Sequence, residues 1–176
     1  MTSQSFFSVL LRDWFRFPVV LLAGALAASC GTAGDNSNEQ KQEQQASNDE
    51  TQLGKEVLRL VNEERAAQGL GALTWNDDVA KVAYDHSVDM QERNYFDHTN
   101  PDGDGPMQRL DKAGVSYSAA GENIAQGYPT PEEVMAAWMN SEGHRANILR
   151  PGFTQLGVGV RQGEGGPWWT QVFRTP

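Results

Sequence analysis

The chain has a single cysteine, Cys30, so no disulfide can form within it and a folded domain must rest on its core alone. It has no apolar run of the length a membrane-spanning helix needs. The run Phe17 to Ala28 (FPVVLLAGALAA) is too short for that and suits the core of a signal peptide. Basic residues are in deficit, 14 Lys and Arg against 23 Asp and Glu, for a net charge of -9. Binding a phosphate backbone needs clustered Lys and Arg, so a nucleic-acid partner is not expected. No Gly-x-Ser-x-Gly elbow is present and Cys30 lies outside the domain, which leaves covalent serine or cysteine catalysis without support. Between Gly31 and Thr51 (GTAGDNSNEQKQEQQASNDET) there is no large apolar side chain. Such a segment buries too little to order itself and is expected to be a flexible tether, with a span of about 25 Å.

What is present divides the chain in three. Arg12 and Arg16 precede the apolar run, which ends in Leu26-Ala-Ala-Ser-Cys30. Small residues before a lone cysteine resemble the bacterial lipoprotein box, in which the cysteine is acylated. The expectation is a signal peptide over 1–29, an acylated Cys30 with its tether over 30–51, and one domain over 52–176. The implied address is extracytoplasmic, lipid-anchored to the cell envelope through Cys30. Gly31 follows the cysteine where an aspartate would resemble an inner-membrane retention signal, so the outer membrane is the expected site if the organism has one.

Within the domain, Leu53, Val57, Leu60 and Val61 recur at helical spacing, and Gly69 and Gly71 end that helix. Asn76 can cap a second helix running to about Glu92, with Val79, Val82, Ala83, His86 and Met90 on its inner stripe. A turn-rich loop from Asn94 to Gly103 follows, then a short helix from Pro106 to Ala113 and a strand from Glu122 to Gln126. Thr130, Pro131 and Glu133 mark the start of another helix. Val134, Ala137, Trp138 and Ser141 share its inner face, and Ser141 is placed to cap a shorter helix carrying His144. Gln155–Arg161 and Trp168–Arg174 read as a closing hairpin, in which one of Trp168 and Trp169 must face away from the other. Helices lead and strands follow, which predicts an α+β domain with helices on an antiparallel sheet.

Several motifs fall in a telling order: Phe96-x-His98, Pro101-Asp-Gly103, Gly121-Glu122-Asn123, Trp138, Gly143-His144-Arg145-x-Asn147-Ile-Leu149 and Gly157-Val-Gly159. In this series the chain resembles a bacterial member of the CAP superfamily, which groups cysteine-rich secretory proteins, antigen 5 and plant pathogenesis-related proteins. The resemblance implies a three-layer α-β-α sandwich with a central antiparallel sheet and a cleft. Eukaryotic members line that cleft with two His and two Glu, and in some the histidines hold a divalent metal. The matching positions are His98, Glu122 and His144. The second glutamate's position is Ser141, and the neighbouring Glu142 is rotated by about 100° on a helix.

Two functions follow as alternatives. His98 and His144 with Glu122 resemble a two-His-one-carboxylate zinc site, with Glu122 as general base of a metal-assisted hydrolase. Alternatively the cleft of His98, Glu122, Ser141 and His144 recognises a lipid, glycan or peptide without chemistry. The missing glutamate favours binding by a monomeric domain. His86 reads as a hydrogen-bonded core histidine. Asn100, Asp102, Asp104 and Asp111 mimic part of an EF-hand loop, but the proline and glycines around them suit a plain turn.

Overall fold

A computed structural model describes residues 36–176, so the signal-peptide and Cys30 expectations lie outside the described residues. The chain order is α1 (Asn36–Ala67), β1 (Thr74–Trp75), α2 (Asp77–Glu92), α3 (Pro106–Lys112), β2 (Ala119–Gln126), α4 (Pro131–Asn140), α5 (Glu142–Ile148), β3 (Gln155–Arg161) and β4 (Trp168–Thr175). The strands form one sheet in the order β1-β3-β4-β2. The β3–β4 and β2–β4 pairs are antiparallel, whereas the short β1 lies parallel to β3. The sheet is therefore mixed. Thr74 and Trp75 add an edge of two residues that is too short to show a period.

Helices cover both faces. On one, Val57 and Val61 of α1, Val134 and Trp138 of α4, and Ile148 of α5 bury Leu156, Val158, Trp169 and Phe173. On the other, Val79, Val82 and Ala83 of α2 and Leu110 of α3 meet Val172, while Met90 meets Ile124 and Trp168. Both members of the Trp168–Trp169 pair are buried, one on each face. Gly157 and Gly159 explain how close α2 comes. A Cβ on either would lie 2.1 Å from the backbone nitrogen of Ala80 or Tyr84. The helix rests directly on bare strand backbone, which only glycine permits.

The helix caps follow the sequence. Asn76 accepts from the Val79 amide at 3.0 Å and Thr130 from the Glu133 amide at 3.2 Å. Ser141 joins α4 to α5 in an extended conformation, but its hydroxyl makes no capping bond. The larger departure is at the N-terminus. The segment expected to be a flexible tether is helical from Asn36, continuous with the packed part of α1. Its Glu, Gln, Lys and Ala residues are good helix formers. Gln45 donates to Asp49 at 2.8 Å and Thr51 to the Ser47 carbonyl at 2.9 Å. Glu50, 4 % exposed, then accepts from the Gln162 amide at 2.7 Å and docks the helix on the sheet's hairpin. Among the described residues no helix is long and apolar enough to cross a membrane.

Candidate functional site

Glu122 stands on β2, one register step from Asn123, so the two side chains point to opposite faces of the sheet. The Glu122 side chain is only 1 % exposed, and both oxygens are taken. Oε1 lies 2.8 Å from His98 Nδ1, and Oε2 accepts from Arg109 Nη2 at 2.6 Å. Arg109, on α3, also donates from Nη1 to the carbonyls of His98 and Asp104, at 2.9 and 2.8 Å. It thereby fixes the loop that presents His98 as well as neutralising the carboxylate. Arg109 is not marked in the sequence, because nothing in local spacing signals a guanidinium that reaches from a short helix to a distant strand.

The chain's three histidines are in different states, and two of them, His98 and His86, lie against this carboxylate. The bond to Glu122 raises the pKa of His98, whose side chain is 47 % exposed. Burial lowers that of His86, which lies 3.8 Å from Glu122 and whose Nε2 meets the Asp97 carbonyl at 3.1 Å. His86 is thus the hydrogen-bonded core residue its stripe position suggested, but it also reaches the cluster. Its other nitrogen is 3.4 Å from the Tyr95 hydroxyl, which donates to Asp89. Burial also lowers the pKa of His144, and the nearby charge of His98 lowers it further. His144 thus lies near enough to His98 to feel its charge.

His144 is held through its backbone. Its carbonyl accepts from Asn123 Nδ2 at 3.1 Å, and Asn123 also donates to Gln171 at 2.9 Å. Asn147 completes the lattice, donating to the Glu122 carbonyl at 3.1 Å and to Asn123 Oδ1 at 2.9 Å. The Gly-Glu-Asn and Gly-His-Arg motifs are thus tied together by buried amides.

Beside the cluster a groove of about 420 Å³ runs between β2 and α4, lined by Phe96, Gln126, Tyr128, Trp138, Ser141 and His144 among others. Phe96 is 50 % and Tyr128 38 % exposed. Among the described residues no Asp, Glu, Lys or Arg lines it. Ser141 belongs to this groove, whereas Glu142 faces solvent and does not replace the missing carboxylate.

The donor set is a poor match to zinc. It offers two imidazoles and a carboxylate whose oxygens are both engaged, one of them by a cation. Among the described residues no group of three or more His, Cys, Asp or Glu is placed to hold a metal ion. The EF-hand-like loop is a turn: Asn100 Oδ1 accepts from the amides of Asp102 and Asp104, Asp102 pairs with Arg93, and Asp104 with Lys112.

Comparison with known proteins agrees with the motif order and the sandwich. The chain is 51 % identical over 119 residues to the Bacillus subtilis protein YkwD, covering 68 % of this chain and 46 % of YkwD. It is similar at 37 % identity and a TM-score of 0.68 to a solved extracellular SCP-domain protein of Bacillus anthracis, over 72 % of this chain and 41 % of that one. The chain thus spans less than half the length of either relative. An outer surface protein of Borrelia burgdorferi, at 24 % identity and a TM-score of 0.65 over 69 % of this chain and 90 % of its own, shares the fold. The cysteine-rich secretory protein (CAP) profile matches residues 58–173, and the chain belongs to that family.

Proposed function

We propose that the chain is an extracytoplasmic binding module whose groove between β2 and α4 takes an uncharged, partly apolar ligand, a glycan chain being the best match. The groove is the observation that carries this. Two exposed aromatic faces, Phe96 and Tyr128, flank it, and its polar lining consists of neutral groups such as Gln126, Ser141 and a histidine whose pKa burial lowers. Aromatic faces with neutral donors and acceptors suit sugar rings, which present apolar faces and hydroxyl edges.

An extracytoplasmic address is supported by the Bacillus anthracis relative, described as extracellular. The apolar run ending at Cys30 supports acylation there, which would hold the groove at the cell envelope. The hydrolase alternative asks Glu122 to take a proton from water, and a carboxylate with 1 % exposure and both oxygens engaged is badly placed for that.

The test is tryptophan fluorescence of the full chain in detergent, titrated with soluble chitin oligosaccharides and, separately, with short neutral peptides. Saturable glycan binding that weakens about tenfold in Phe96→Ala and in Tyr128→Ala supports the reading. Peptide binding alone would reassign the ligand. Glycan binding unchanged in both variants would move the site elsewhere.

A further inference from the structure

The family resemblance implies a cation between the cleft histidines, yet this cleft already contains one, supplied by the chain itself. We propose that Arg109 is the resident cation of the cleft, standing where the family's charge balance would otherwise call for a divalent metal, and that this cleft does not take zinc.

Three observations carry the proposal. First, Arg109 Nη2 lies 2.6 Å from Glu122 Oε2, and the side chains are only 11 % and 1 % exposed. The pair is poorly screened by water, so the guanidinium charge is felt by any ion entering the cluster. Second, the same group donates from Nη1 to the carbonyls of His98 and Asp104, so it holds in place the loop that a metal would otherwise pin through His98. Third, the carboxylate that would balance a dication is absent. Ser141 occupies its position and Glu142 is exposed.

The charges then decide the outcome. Glu122 and Arg109 cancel, and His86, buried and 3.8 Å from Glu122, adds no counter-charge. A dication brought to the exposed nitrogen of His98 would meet the Arg109 guanidinium and a Glu122 carboxylate already engaged, with only the neighbouring Asp97 carboxylate acting in its favour. Arginine keeps its proton throughout the ordinary pH range and does not dissociate, so a site built this way is permanent rather than loaded.

The experiment is zinc calorimetry on the full chain in detergent. For the wild type, the expected result is no zinc binding that His98→Ala and His144→Ala both abolish. Arg109→Lys, which keeps the charge, should behave likewise. The double variant Arg109→Gln/Ser141→Glu removes the guanidinium and restores a second carboxylate. It should gain zinc affinity of at least about tenfold that depends on both histidines. Circular dichroism shows whether that variant folds. Micromolar wild-type binding lost in both histidine variants would overturn the proposal, as would a folded double variant that gains nothing. If the double variant does not fold, the wild-type titration decides alone.

Discussion

Arg65 is fully buried with no carboxylate partner among the described residues. It donates to the carbonyls of Gly71, Ile148, Arg150 and Phe153 at 2.8 to 3.3 Å. It staples the end of α1 to the loop after α5, and burial lowers its pKa. Arg65→Met would strand four carbonyls, and a loss of about 3–5 kcal/mol is expected in urea unfolding. Around Glu122, His98 and His86 are driven in opposite directions from an ordinary value of 6.5. With its folded pKa raised, His98 contributes stability that is fully present below pH 6.5 and is lost as pH rises through the raised value. With its pKa lowered, His86 costs stability as pH falls below 6.5. His98→Gln should therefore lie further below wild type in thermal midpoint at pH 5 than at pH 9, by about the loss of one charged hydrogen bond. A gap independent of pH would mean that His98 acts by packing. His98, Glu122 and His144 were legible in the sequence as motif residues. Arg65 and Arg109 were not, because their partners lie far away in sequence and a lone arginine on a helix reads as a solvated charge.

The pairing of α2 with β3 is where element-level packing is tightest. Gly157→Ala or Gly159→Ala would push a methyl into the α2 backbone, and a loss above about 3 kcal/mol or failure to fold is expected. A methyl added at Gly143, near the start of α5, would meet nothing within 4 Å, so Gly143→Ala should be neutral or stabilising by up to about 1 kcal/mol. Thermal unfolding of the three variants side by side checks both statements. The starts of α2 and α4 could be read in advance because their caps are local chemistry. The helical state of residues 36–51 could not. A run of Glu, Gln, Lys and Asn without an apolar stripe has the composition of a disordered linker and the propensities of a helix. What separates the two here is Glu50, and its partner Gln162 sits across the fold. Glu50→Ala should release that end of α1, seen as faster amide exchange over residues 47–52 with the core still protected.

At the scale of the whole molecule, α1 is both a layer of the sandwich and a rod that leaves it. Residues 37–49 are exposed along one unbroken helix, about 20 Å long at 1.5 Å per residue. A coil would set only how far the groove can stray from residue 36, whereas a helix also sets its bearing. Each residue added or removed within that exposed stretch turns the start of the helix at residue 36 by about 100° relative to the groove. If bearing matters to what the groove meets, one- to four-residue insertions after Gln42 should alter function in a cycle of about 3.6 residues, with four nearly restoring it. A steady decline with length would instead mean that only distance counts. In that sense α1 behaves as a phased shaft, and its length is a setting of angle.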